Sequence, residues 1–289
     1  MARTPSTPDI PDLAAKPTSD LVSPVSRALY VLDVIATAGR PLRFVELERS
    51  VALPKATLHR LLQQLRAERM LEFHSETQRY SIGMRALRLG YAAWESASLA
   101  KAARPVLELL HGTIGLTTHL ACLEGGQVLY LVTLAAPMMA CRLSRPGRVA
   151  PSYCTALGKA MLARLPDDDL HAALQQQTFR PQTDKTIASA DDLRRELETI
   201  RTRGYALDDE ENEDGVVCLA APVVSKAGGL LGAISISANV RASTLAAIEG
   251  HAPQVQEAAA AVAEAAAIQL VDFEQQGARM ELSRDGLVI

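Results

Sequence analysis

The chain is poor in the features that mark catalysts, exported scaffolds and membrane proteins. Its four cysteines, Cys122, Cys141, Cys154 and Cys218, show neither CxxC spacing nor local density. That excludes a zinc ribbon and a disulfide-stapled fold, and fits a reducing cytoplasm. No apolar run approaches the roughly 18 residues that cross a bilayer, so no membrane partner is expected. The first twenty residues lack a basic patch followed by an apolar stretch, so no signal peptide is read. GxSxG, HExxH, Walker A and GxGxxG are all missing, and with them the usual nucleophile elbows, zinc helices and phosphate cradles. Cys154 stands just before a helix start that would favour its thiolate, but His111, His119, His171 and His251 sit in no motif that would supply it with a base. No enzyme activity, metal or cofactor is expected. Aromatics make up only 4% of the residues, with Trp94 the single tryptophan.

At 289 residues the chain can build two domains. Residues 1–22 are rich in Pro, Ser, Thr and Asp, the composition of a disordered leader that cannot bury enough apolar surface to order itself. Charge is unevenly placed. Residues 24–85 carry ten Lys or Arg against six Asp or Glu, whereas residues 86–289 carry eighteen against twenty-four. Only the first of these segments has the sign for phosphate.

Within it, Val25, Ala28, Leu29, Leu32 and Ile35 recur at helical spacing, and Gly39 and Pro41 end the pattern. A short second helix is read at Val45 to Ser50 and a third opening at Pro54, a residue tolerated at the first helical position. That is helix-turn-helix spacing. In the third helix Leu58, Leu61, Leu62 and Leu65 form the inward stripe. Lys55, Ala56, His59, Arg60 and Gln63 then share the opposite face, with Thr57 and Gln64 at its edge. Arg and Gln can bond base edges bidentately, and Lys or Arg can neutralise phosphates. Leu71–His74 and Arg79–Ile82 flank a polar turn at residues 75–78, which reads as a hairpin wing carrying Arg79 and Tyr80 to the same partner.

A helix follows over residues 84–101, with Leu87, Tyr91, Trp94 and Leu99 among alanines. From about residue 103 helices and extended runs mix: a helix near Pro105 to His111, strands at 117–123, 127–134 and near 139–143, then a helix opened by Ser189 and stopped at Gly204. Strands at 205–208, 216–223 and 230–237 precede a long alanine-rich helix over about 243–273. This is an α+β pattern. Thr155 is placed to cap a helix whose leading amides, Ala156 and Leu157, would offer an anion site. Asp208 and Cys218 lie at the ends of neighbouring strands, and Ser235 and Ser237 alternate onto one face of the last strand.

LPKATLHRLLQQL and RYSIGMRALRLG in the basic segment, with PSYCTALGKAMLARL and GYALDDEENEDGVVCLAAPV further on, resemble the IclR family of transcriptional regulators over nearly everything after the leader. The resemblance implies a winged helix-turn-helix at residues 23–83, a linker and dimerisation helix at 84–102, a GAF-like effector domain with a mostly antiparallel sheet at 103–277, and a tail at 278–289. It implies a regulator of a catabolic operon, a repressor or an activator. Its partners would be an operator in double-stranded DNA and a second copy of the chain, as a homodimer or dimer of dimers. A small carboxylate metabolite would be the effector, in a pocket using a carboxylate, a cysteine and two serines. Asp208, Cys218, Ser235 and Ser237 match these, beside Thr155, Ala156 and Leu157, and Arg142 would add a second cation. Two departures stand out. Ala52 replaces the usual turn glycine, and would be strained at positive φ. Arg43 replaces a small helix-capping residue and offers a phosphate contact. A regulator switching through oxidation of Cys154 or Cys218 is the alternative.

Overall fold

The computed structural model describes residues 23–96, 98–137 and 144–267. The chain divides into two compact units between Ser96 and Ala97.

The first unit holds α1 (Pro24–Ala38), β1 (Leu42–Arg43), α2 (Phe44–Ser50), α3 (Lys55–Ala67), β2 (Leu71–His74), β3 (Arg79–Ile82) and α4 (Met84–Ser96). Ser23 caps α1 by accepting the Ser26 amide at 3.0 Å, the usual service of a short polar side chain at a helix start. The inward face of α1 is Tyr30, Val31, Leu32, Val34 and Ile35, while Val25 and Leu29 are exposed. The expected apolar stripe is therefore rotated at its N-terminal half, because Val31, Val34 and Ile35 supply a competing run at three- and four-residue spacing. Leu58, Leu61, Leu62 and Leu65 of α3 pack against this face. The helix itself begins at Lys55, with Pro54 as its N-cap. The hairpin joins a third strand that was not foreseen. Leu42 pairs with Tyr80 and Arg43 with Arg79, so the sheet runs β1-β3-β2. Ala52 is absent from the positive-φ residues, so the expected strain does not arise.

The second unit opens with α5 (Ser98–Ile114), which carries Pro105 inside it and runs unbroken past residue 103. Next come β4 (Thr117–Glu124), β5 (Gln127–Leu134), β6 (Val149–Pro151), α6 (Ala156–Leu162), α7 (Asp167–Gln175), α8 (Ala190–Arg203), β7 (Ala206–Asp209), β8 (Val216–Val224), β9 (Leu230–Asn239) and α9 (Leu245–Glu249). Residues 252–267 form a further helix, α10. The long terminal helix expected from the sequence is thus interrupted at residues 250–251, and Pro253 falls in the first turn of α10, where its missing N–H costs nothing. The expected strand at 139–143 lies outside the described residues.

The strands form one antiparallel sheet in the order β6-β5-β4-β9-β8-β7. One face, with Leu120, Val132, Leu219, Ile234 and Ile236, packs on α5, α9 and α10. The other, with Ala121, Tyr130, Ala206, Ala220 and Ala233, packs on α6, α7 and α8. Small residues beneath α6 let that helix come close. At Gly158 a Cβ would stand 2.3 Å from the backbone of Ser152, a contact only glycine tolerates. No helix among the described residues is long and apolar enough to cross a membrane.

Candidate DNA-binding and effector sites

Lys55, Ala56, His59, Arg60 and Gln63 are all exposed along α3, and Thr57 is half-buried at the edge of that face. Phe44 steadies part of it. The His59 ring meets it edge-on at 6.2 Å, and the Lys55 ammonium stands 5.9 Å from its centroid. Arg43 is exposed, and its backbone N–H donates to Glu46 Oε2 at 2.7 Å, so the carboxylate supplies the capping that the Arg43 side chain cannot. Two wing residues behave differently from expectation. Tyr80 is 9% exposed and lies in the core, its ring 4.8 Å from Phe73, because β3 is the central strand of the three. Arg79 donates to the Pro41 carbonyl at 2.9 Å and faces Glu46 at 3.9 Å, so its guanidinium fastens β3 to the α2 corner.

In the second unit, sheet register gathers the polar residues. Asp208 pairs with Cys218, Cys218 with Ser237, and Ser237 with Thr117, one row across four strands. Two residues along, Ala206, Ala220, Ser235 and His119 make the adjacent row on the same face. Thr117, His119, Asp208, Ser235 and Ser237 are all buried under the side on which α6 packs. The Ser237 hydroxyl donates to Cys218 Sγ at 3.1 Å. Asp208 Oδ1 accepts the Glu211 amide at 2.8 Å. Burial, reinforced by the charge of Glu211, pushes the Asp208 carboxyl up to about 7.

Thr155 caps α6, its hydroxyl accepting from Gly158 N at 3.2 Å while donating to the Pro151 carbonyl at 2.8 Å. That hydroxyl is committed to the fold. The Ala156 and Leu157 amides bond no described residue, although both residues are buried. The seven-residue α6 brings only a short helix dipole to them. Arg142 lies outside the described residues, as do the side chains of Tyr91 and Trp94.

Three participants were missed from sequence. His119, considered only as a base for Cys154, sits with Nδ1 3.2 Å from Ser235 Oγ and Nε2 3.0 Å from Ser144 Oγ. Burial holds its pKa down to about 4, so the ring is neutral and bridges two hydroxyls. Lys159 and Glu211 form a buried ion pair, and Glu211 Oε2 is left without a hydrogen-bond partner. The alternation Thr117, His119, Ala121 along β4 carried a signal for His119. The ion pair had none, since it joins residues 52 apart.

Cys154 is buried, with its thiol donating to Asn212 Oδ1 at 3.7 Å. Burial first, then the charges of Asp208 and Glu211, push this thiol far above its ordinary range. The helix start therefore does not activate it. Cys218 is pushed up by the same kind of burial. Among the described residues no cluster of His, Cys, Asp or Glu is arranged to hold a metal ion.

A winged helix-turn-helix whose exposed helix carries donors and cations, followed by a separate α+β domain with a buried polar cluster on its sheet, defines a transcription regulator. Comparison with known proteins makes this specific. The description "IclR helix-turn-helix domain" matches residues 24–75, and "Bacterial transcriptional regulator IclR C-terminal" matches residues 91–264. The chain belongs to the IclR family of DNA-binding transcriptional regulators. It is 32% identical over 245 residues to the HTH-type transcriptional regulator XynR of Escherichia coli K12, covering 85% of this chain and 97% of that one. The crystal structure of the Thermotoga maritima IclR superposes with a TM-score of 0.64 at 27% identity, over 83% of this chain and 97% of that one. An IclR homolog from Microbacterium hydrocarbonoxydans, crystallised with 4-hydroxybenzoate, shares the fold at TM-score 0.72 and 23% identity, over 85% of this chain and all of that one. The relatives are named as regulators, and the chain is a regulator rather than an enzyme.

Proposed function

We propose that this regulator controls a catabolic operon in the cytoplasm in response to a small organic acid bound in its second unit. The reading is carried by the row Asp208, Cys218, Ser237 with Ser235 beside it, on the sheet face that α6 covers, and by two amides at the start of α6 that bond no described residue. A carboxylate would accept from the Ala156 and Leu157 amides, while hydroxyl or carbonyl groups of the effector would meet Ser235, Ser237 and Asp208. The Microbacterium homolog crystallised with 4-hydroxybenzoate is an example of an acid held by a protein of this fold. The elevated thiols of Cys154 and Cys218 favour this over a redox switch, since oxidation proceeds through the thiolate.

On the DNA side, Lys55, Thr57, His59, Arg60 and Gln63 read an operator in the major groove, with Ala56 close to the bases and Arg43 on a phosphate. Residues 84–102 pair two protomers, and the exposed Met84, Leu87 and Leu89 of α4 supply apolar surface for that. A dimer would present two α3 helices to paired half-sites.

Gel-shift titration against the promoter of the neighbouring operon tests the DNA half. Arg60→Ala and Thr57→Ala are expected to weaken binding, and wild-type affinity in both would refute the assignment of α3. Thermal-shift screening of aliphatic and aromatic acids tests the other half. A stabilising acid is expected to lose its effect in the Ser235→Ala, Ser237→Ala double variant, and a shift that persists there would remove the site.

A further inference from the structure

The first unit contains a groove of about 830 Å³ lined by Gln63, Arg66, Arg69, Phe73, His74 and Met84 among others, of which only Gln63 is among the expected DNA contacts. It lies between the C-terminal half of α3 and the edge strand β2. Gln63 belongs both to this groove and to the exposed face of α3. Arg66 follows three residues later, so it continues the same face by one helical turn.

The groove is cationic for a reason visible in its partners. Two carboxylates elsewhere in the unit are held by other arginines, Glu46 by Arg40 at 2.7 Å and Glu68 by Arg85. Among the described residues, Arg66 and Arg69 have no carboxylate partner, and Glu72 is the single acid on the groove wall. The Arg66 guanidinium stands over the Phe73 ring, 4.8 Å from its centroid. An aromatic neighbour restrains the guanidinium without using its N–H donors, which leaves them free for a phosphate. Arg69 sits at φ 57°, just past the end of α3, where glycine is the usual occupant. Its carbonyl is pinned there by the Arg85 amide at 3.1 Å and by Gly83, whose Cβ would stand 2.4 Å from it. An arginine kept in a backbone conformation that favours glycine points to use of its side chain.

We infer that the groove between α3 and β2 is a second DNA contact, in which Arg66 and Arg69 hold the phosphodiester backbone beside the major groove that α3 enters. The inference rests on α3 being the reading helix. It adds register and affinity and no sequence preference, because phosphates carry none.

The test is fluorescence anisotropy of the full-length protein on a labelled duplex of arbitrary sequence, and on the duplex it enriches from a randomised pool, across a salt series. Arg66→Ala and Arg69→Gly are each expected to weaken binding to both duplexes alike and to make the slope of log K against log salt shallower by about 1. Arg69→Gly keeps the inference falsifiable if Arg66→Ala disturbs the wing, because glycine suits that backbone and its melting temperature is expected to equal or exceed wild type. Lys226→Ala in the other unit controls for the loss of one net charge. Unchanged slopes in both groove variants, or an equal change in Lys226→Ala, would overturn the inference, as would weakening confined to the enriched duplex. Arg60→Ala in the same series separates the two readings. Its loss of preference for the enriched duplex, alongside unchanged groove variants, removes the groove and leaves α3 standing, whereas no effect of Arg60→Ala removes α3.

Discussion

Asp208→Asn is expected to stabilise the second unit at neutral pH and to have almost no effect near pH 4. The carboxyl is 3% exposed and pushed from 3.8 up to about 7, first by burial and then by the charge of Glu211, against the pull of Lys159 and of the Glu211 and Asn212 amides. The folded state thus holds this proton more tightly than the unfolded chain. Stability from the group is complete below pH 3.8 and is lost as pH rises to about 7. At about 1.36 kcal/mol per pKa unit, the charged form costs at most about 4 kcal/mol above pH 7. Asparagine removes that cost, and the pull of the two amides on the charged form is already contained in the net shift. The gain expected at about pH 8 is therefore at most about 4 kcal/mol. His119 acts with the opposite sign, since its lowered pKa adds stability as pH rises from about 4 to 6.5. It is common to both proteins and cancels in the difference. Urea unfolding of wild type and variant between about pH 4 and pH 8, followed by circular dichroism, gives the difference directly. A variant no more stable than wild type at the upper end, or a difference that does not change with pH, would refute the reasoning.

Other perturbations follow from the same geometry. Lys159→Met is expected to destabilise by about 3 to 5 kcal/mol by leaving Glu211 charged and buried, and Lys159→Met with Glu211→Leu to recover most of it; no recovery in urea unfolding would show that the pair is not the cause. Leu62→Ala, at 0% exposed, removes a side chain from under α3 and should cost about 2 to 5 kcal/mol, read as loss of both helicity and DNA binding in the first unit. Ser189→Ala deletes the acceptor for the Asp192 amide at 3.1 Å and should cost about 1 kcal/mol. Affinity for an acid that binds beside Asp208 should rise as pH falls through about 7, because the protonated carboxyl no longer repels it; calorimetry showing no pH dependence there would place the acid elsewhere.

Local signals in the sequence reached a long way. The polar turn at residues 75–78 located the wing, and the leucines of α3 separated its inward from its outward face. Ser189 and Gly204 bounded α8, because caps act through neighbours a few residues away. What escaped was set by tertiary pairing. β1 is two residues long and exists only because Leu42 and Arg43 find β3. The same pairing makes β3 central, and Tyr80 falls on the face of that strand that meets the core, so a residue expected on the DNA surface is buried. Ala52 looked strained when only the family's glycine was considered, yet the turn is closed without positive φ. In the second unit, strand alternation placed Ser235 and Ser237 on one face. His119 joined them only once β4 was known to pair with β9, and Lys159 could not be matched to Glu211 without the fold. The break at residues 250–251 was legible in Gly250 and Pro253, but the alanine-rich flanks masked it.

Reciprocal coupling tests the regulator most directly. DNA affinity of the wild-type protein is measured with and without a carboxylic acid that stabilises it thermally, and acid affinity is measured with and without the enriched duplex. Linkage requires the two ratios to be equal, and a coupling of about 1 to 3 kcal/mol is about 5- to 150-fold. Equal, non-unit ratios that collapse to one in the Ser235→Ala, Ser237→Ala variant are expected. An acid that binds the wild type and leaves DNA affinity unchanged would contradict a sensor linked to a DNA reader.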